Sequence, residues 1–264
     1  MGLIPKKQDK LKSLLRVWPM HTIATASWLQ CYGFTYDDLS GYEKSGWISR
    51  VGAGSFKRKA DTVSWEGAIY GIQQQYLDRF HIGGRTALEL QGAAHFVPLD
   101  KPKLFLFSTE KKKLPLWLDN YLKFLEMQFS YLQYTFLPAD LGLTAYNCGE
   151  FQITISTRER AALEVVELLN RFHDFEECRL LFENLGTLRS QLVQQLLENC
   201  TSIKAKRVFL FLSKRLGHKW IKEIDITHID LGSGPRYIMP EGVYDPEFQI
   251  TYPKGFFDDD KLEV

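Results

Sequence analysis

The sequence predicts an α+β protein of two parts, and three observations carry that reading. At ~150 residues per domain, the 264 residues suggest two domains. Residues 1–60 hold ten Lys and Arg against four Asp and Glu, a net +6, whereas the rest hold 23 basic against 28 acidic residues, a net −5. Helical spacing dominates the first part, and strand-like runs alternate with helix-like runs in the second. A basic module joined to a mildly acidic body points to a polyanionic partner for the first part. With 45% hydrophobic and 25% charged residues, a largely disordered chain is excluded.

Leu11, Leu14, Leu15 and Trp18 share one helical face, and Pro19 ends that helix because proline cannot continue the hydrogen-bond ladder. Thr25 is placed to cap a short helix beginning Ala26-Ser27-Trp28-Leu29. Gly33 turns the chain, and Thr35 caps a third helix running to about Ser45, with Asp37 and Asp38 in its first turn. Helix, glycine turn, helix is the spacing of a helix-turn-helix. Trp47–Val51 then reads as a strand, Gly52-Ala53-Gly54 as a tight turn and Ser55–Arg58 as the returning strand. A hairpin directly after the helix pair predicts a winged helix-turn-helix.

Leu39 and Tyr42 belong on the buried side of the third helix. Tyr36, Ser40 and Lys44 recur at i, i+4 and i+8 on the opposite side, and with Thr35 at the helix head they are the candidate DNA-facing residues. Arg50, Lys57, Arg58 and Lys59 of the hairpin are suited to phosphates or to a minor groove. The helix holds no arginine, and its acids Asp37, Asp38 and Glu43 would repel phosphate if they faced it. Gly52-x-Gly54 lacks the third glycine of a dinucleotide fingerprint and the Gly-Lys-Ser/Thr of a P-loop, so it reads as a turn.

Ser64 caps a further helix through Tyr70, Phe80–Gly84 is a short strand and turn, and Arg85–Gln91 is a helix ended by Gly92. Gly83-Gly84-Arg85-Thr86 reads as a structural turn rather than as a phosphate site. Pro98-Leu99-Asp100-Lys101-Pro102 marks the boundary, giving domains 1–97 and 98–264.

The run Ser45–Arg58 resembles the wing of the AbiE-type (AbiEi) antitoxin family, the transcriptional-regulator half of type IV toxin–antitoxin systems. Asp61–Tyr70 and Ile82–Gly92, with His95, are similar to the same family, which typically carries a basic residue where Ala53 stands. The resemblance implies a repressor of its own promoter, acting on operators arranged as inverted repeats. It also implies a two-gene operon whose nucleotidyltransferase-like toxin need not form a stable complex with this chain.

In the carboxy-terminal part, Leu104–Phe107 predicts a buried strand, and Phe129, Tyr131, Tyr134 and Phe136 suggest strand structure within 124–136. Phe151–Ile155 alternates as a half-buried strand, followed by Ser156-Thr157-Arg158-Glu159, spaced as a capping box. Ala162, Val165, Val166 and Leu169 share one face of the next helix, and this strand–helix run also resembles the family's antitoxin domain, which often has an acid where Glu164 stands. Phe175/Cys178/Phe182/Leu185 and Leu188/Leu192/Val193/Leu196 are core stripes of further helices. Residues 204–219 look helical and basic, a second positive patch, and 224–226, 229–231 and 248–252 read as strands.

The closing region resembles the family as well, so the fold expected is α+β, a winged helix-turn-helix followed by a larger mixed α/β antitoxin domain. No apolar run nears the ~18–20 residues of a membrane span, and the first residues lack an apolar core like that of a signal peptide. Lys6 stands where an acylation motif needs Ser or Thr, so a cytoplasmic location is expected. Cys31, Cys148, Cys178 and Cys200 are scattered without a Cys-x-x-Cys pair and read as reduced, buried thiols. The six histidines form no metal pair, and no nucleophile elbow occurs, so neither an enzyme nor a cofactor is expected. A protein- or RNA-binding adaptor and an enzyme with a hidden carboxylate metal site are the alternatives.

Overall fold

A computed structural model describes residues 7–76, 80–94, 103–111 and 113–257. The chain forms two compact units, each assembled from separate stretches: 1–81, 100–133 and 145–154 in one, and 82–99, 134–144 and 155–264 in the other. The expected boundary at Pro98–Pro102 and His95 lie outside the described residues.

The first unit opens with α1 (Lys7–Val17), β1 (Ala24–Thr25), α2 (Ala26–Cys31), α3 (Tyr36–Lys44), β2 (Ile48–Gly52) and β3 (Ser55–Arg58). The three strands form an antiparallel sheet in the order β1-β3-β2. Leu14 and Trp18 are fully buried beside Leu29, Phe34, Leu39, Tyr42, Ile48 and Phe56, so the predicted apolar faces meet in one core. Each such side chain contributes about 1.5–3 kcal/mol by leaving water. Thr25 and Thr35 cap their helices as the sequence predicts. Strand β1 has no sequence signature because it is two residues long; pairing with Phe56 and Ser55 defines it.

Helix α4 (Trp65–Tyr76) passes against the segment leading into β1 through two glycines one turn apart. A Cβ on Gly67 would collide with the His21 carbonyl oxygen, and one on Gly71 would lie 2.5 Å from that of Ile23. The Ile23 N–H donates to the Gly67 carbonyl at 3.1 Å across this approach. Beyond α4 lies a five-stranded sheet, ordered β6-β5-β4-β8-β7, of β4 (Phe80–Ile82), β5 (Lys103–Ser108), β6 (Gln128–Gln133), β7 (Leu143–Asn147) and β8 (Gln152–Ser156). The buried Gln73 side chain of α4 donates to the carbonyls of Phe80 at 3.0 Å and Thr154 at 2.9 Å, and accepts the Thr154 N–H at 2.8 Å.

Strand β5 is buried from Leu104 onward, as expected, and runs parallel to β6. A parallel pair needs a crossover, and α6 (Leu116–Phe124) supplies it, burying Trp117, Leu118, Tyr121 and Leu122. Of the aromatics expected to carry strand structure within 124–136, Phe129 and Tyr131 lie in β6, whereas Tyr134 and Phe136 follow it and Phe124 ends α6. Helix-spaced aromatics in a short segment are not separable from strand residues by composition.

The second unit holds α5 (Gly84–Leu90), α7 (Arg158–Glu167), α8 (Phe175–Glu183), α9 (Ser190–Asn199) and α10 (Ile203–Arg215), with a two-stranded antiparallel sheet of β9 (Val243–Asp245) and β10 (Ile250–Tyr252). Helix α7 is buried on all sides from Glu159 to Val166, with α5, α8, α9 and α10 packed around it. The capping box expected at its start does not form. Thr157 takes the N-cap position, Ser156 donates its hydroxyl to Glu164, and Glu159 binds Arg189.

The strands expected at 224–226 and 229–231 do not form: Ile226–His228 is a short 3-10 turn between irregular stretches, and another 3-10 turn, Lys219–Glu223, precedes it. Asp225 caps the Ile226–His228 turn by accepting the Thr227 N–H, an interaction that competes with strand pairing. The basic segment 204–219 is not one positive face. Arg207 is buried and donates to the carbonyls of Leu231, Gly234 and Gln249, Lys204 donates to those of Glu167 and Leu169, and Lys214 pairs with Glu247. Among the described residues no helix is long and apolar enough to cross a membrane.

Candidate nucleic-acid interface

The candidate residues converge on α3 and the β2–β3 hairpin. Thr35 heads α3 and its hydroxyl is committed there: it accepts the Asp38 N–H at 3.2 Å, while Asp38 Oδ2 accepts the Thr35 N–H at 2.8 Å. Lys10 of α1 reaches the same Oδ2 at 2.5 Å. Burial alone would raise the Asp38 carboxyl, but the bonds from Lys10 and Thr35 outweigh it and hold the group below its ordinary value. Asp38 therefore serves the helix cap and not the outer face. On that face Tyr36 is 63% exposed, Ser40 half-buried and Lys44 exposed, while Leu39 and Tyr42 turn into the core.

The hairpin follows without delay. The Trp47 N–H bonds to the Tyr42 carbonyl and the Lys59 N–H to the Trp47 carbonyl, each at 3.0 Å, which ties both ends of the hairpin to the end of α3. Gly54 takes a φ of 66° at the tip. Gly52 is needed for a different reason: a Cβ there would lie 2.7 Å from that of Trp117. The sequence marks Gly52 as a turn residue, but the close approach of α6 is what excludes a side chain.

The four hairpin cations occupy different settings. Arg50 is exposed, forks onto Glu43 with bonds of 3.2 and 2.8 Å, and lies 4.8 Å from the ring centroid of Phe56, its cross-strand partner. Lys57 donates to the Asp61 carbonyl at 2.5 Å. Arg58 is half-buried and donates to the carbonyls of Leu15, at 2.5 Å, and Trp18, so it satisfies the open end of α1. Burial lowers its pKa. Lys59 is exposed. Thr35, Tyr36, Lys44, Arg50 and Lys59 are thus the exposed candidates, Arg50 within its pair with Glu43, whereas Lys57 and Arg58 are half-buried and bonded to backbone carbonyls. In the sequence Glu43 reads as one of three helix acids that would repel phosphate if they faced it. Its place near the end of α3, seven residues before Arg50 and across a tight turn, is the signal that pairs the two.

The head of α5, where Gly83 and Gly84 lie, is filled by Glu164, whose Oε2 accepts the Gly84 N–H at 2.8 Å. Among the described residues no group of three His, Cys, Asp or Glu side chains could hold a metal ion. All four cysteines are free, but Cys31 is exposed and Cys148 half-buried, so only Cys178 and Cys200 are the buried thiols expected. Burial, with Glu66 nearby, pushes the Cys148 thiol up to about 11.

Two sequence-family profiles together span nearly the whole of this fold. One, described as "Transcriptional regulator, AbiEi antitoxin N-terminal domain", matches residues 7–99; the other, "Transcriptional regulator, AbiEi antitoxin, Type IV TA system", matches residues 101–253. The chain belongs to the AbiEi antitoxin family. It is therefore a member of the transcriptional regulators and antitoxins of type IV toxin–antitoxin systems, as the resemblance implied. The fold is similar to the crystal structure of the RV2827C protein from Mycobacterium tuberculosis, with a TM-score of 0.59 over 94% of this chain and 91% of that one. Identity is 15%, so that likeness concerns the fold alone. No curated protein matches the chain significantly.

Proposed function

We propose that the chain is the antitoxin of a type IV system and represses its own promoter through an amino-terminal winged helix. The observation that carries this reading is the hairpin fastened to the end of α3, leaving Tyr36 and Lys44 on one outward helix face and Arg50 and Lys59 on the hairpin. In this mechanism α3 enters the major groove of an inverted-repeat operator and the hairpin grips flanking phosphates. Tyr36 and Ser40 meet base edges; Lys44, Arg50 and Lys59 meet backbone. Thr35, Lys57 and Arg58 hold the module in shape. The protein acts by binding and not by catalysis. A nucleotidyltransferase-like toxin is its functional counterpart, neutralised through the carboxy-terminal part without a stable complex.

Binding of the full chain to the duplex upstream of its own coding sequence and to a scrambled duplex, followed by fluorescence anisotropy at two salt concentrations, tests this. Preference for the native duplex is expected, with log affinity falling by about 0.9 per log unit of salt for each phosphate contacted. Equal weak binding to both duplexes would overturn the repressor reading and turn attention to protein or RNA partners.

A further inference from the structure

We infer that Glu43 is a phosphate surrogate: its carboxylate holds the Arg50 guanidinium in the pose that a backbone phosphate of duplex DNA takes over on binding. The inference rests on the DNA-binding reading above and adds a competition built into the site.

Carboxylate and phosphate both offer paired oxygens to the guanidinium fork, so a group posed for one is posed for the other. Glu43 receives Arg50 Nε at 3.2 Å and an outer nitrogen at 2.8 Å. The plane of the fork does not depend on Glu43 alone, because the Phe56 ring lies 4.8 Å from the guanidinium carbon. Arg50 therefore keeps its orientation when the carboxylate leaves.

Glu43 itself is weakly held. The two side chains are 50% and 32% exposed, and exposed pairs of this kind contribute little and are screened by salt. The residue also sits in the last turn of α3, where the negative end of the helix dipole disfavours an anion. Asp38 differs in position and bonding: it lies in the first turn, in the helix cap, and is bonded by both Thr35 and Lys10. In the free chain Arg50 is thus masked, and a phosphate must be well placed to displace its internal partner.

The test compares the full-length chain with Glu43→Gln, Arg50→Ala, the double variant and Asp37→Asn, an exposed acid on the same helix that measures the effect of simply removing a negative charge. Affinity for a scrambled duplex is read by anisotropy across a salt series, with circular dichroism to check folding. Glu43→Gln is expected to tighten binding by up to about fivefold and to steepen the salt slope by up to about 0.9. Both changes should exceed those of Asp37→Asn and fall to that level once Arg50 is Ala. An effect equal to that of Asp37→Asn, one that persists without Arg50, or a loss of affinity would overturn the surrogate role while wild-type binding keeps the DNA reading intact. A wild-type chain that binds no duplex overturns that reading, and this inference with it.

Discussion

Glu164 caps the head of α5: its Oε2 accepts the Gly84 N–H at 2.8 Å from 80 positions away in the sequence. The same carboxylate accepts the Ser156 hydroxyl at 2.7 Å and Arg160 Nε at 2.8 Å, and Arg160 donates onward to the carbonyls of Pro138 and Leu141, each at 2.6 Å. The anion that a glycine-led helix start attracts is here a side chain of the protein.

Removing that carboxylate leaves a buried arginine and a helix end without their partner. Glu164→Ala is expected to cost about 3 kcal/mol in a urea titration of the full chain. Glu164→Gln keeps the shape and one acceptor, so a smaller loss is expected. Equal losses would show that the charge contributes nothing.

Three helical glycines separate conformational cost from close packing. Gly41 in α3 meets nothing within 4 Å of an added Cβ, so Gly41→Ala should stabilise the chain by about 0.5–1 kcal/mol. Gly67→Ala and Gly71→Ala force backbone apart and should destabilise it by more than about 1 kcal/mol. Thermal midpoints that move the same way for Gly41 and Gly67 would contradict the α4 packing.

The hairpin cations should divide by readout. Arg58→Ala strips two carbonyls of their donor and is expected to lower stability by about 1–3 kcal/mol. Lys59→Ala and Lys44→Ala leave the melting temperature unchanged, and each reduces the salt slope of duplex binding by about 0.9. A salt slope that responds to Arg58 without any change in stability would place that side chain on DNA instead.

His218 makes stability depend on pH. It is buried, with Nε2 2.8 Å from the Phe182 carbonyl and its ring stacked on Trp220 at 5.6 Å. Burial lowers its pKa below the ordinary 6.5, against the opposing hydrogen bond to Phe182. The unfolded chain therefore takes up the proton first. The stabilisation is complete above pH 6.5 and is lost as pH falls from there through the lower folded value. Urea midpoints between pH 8 and pH 5 should decline over this range, and His218→Gln should flatten the decline. An unaltered profile would assign it to other groups.

Much of the fold was legible in the sequence, because its signals act over a few residues. The Leu14/Trp18 face, the Thr25 and Thr35 caps and the Gly54 turn each depend on neighbours within about one helical turn or a hairpin. The outward side of α3 follows from periodicity alone, and Tyr36 and Lys44 are exposed on it.

What only the tertiary structure decided concerns groups that meet from far apart in the chain. Lys57 and Arg58 look like free cations in sequence, but Arg58 ends on the carbonyls of Leu15 in α1 and of Trp18 just after it, 43 and 40 positions away. The basic run around Arg207 reads as a surface, yet its guanidinium is drawn inward by three carbonyls that the sequence leaves scattered. Ser156 and Glu159 have capping-box spacing, but Glu164 and Arg189 offer each a stronger partner. A charged group is settled by whichever partner desolvates with it, and that partner is chosen by packing rather than by proximity along the chain.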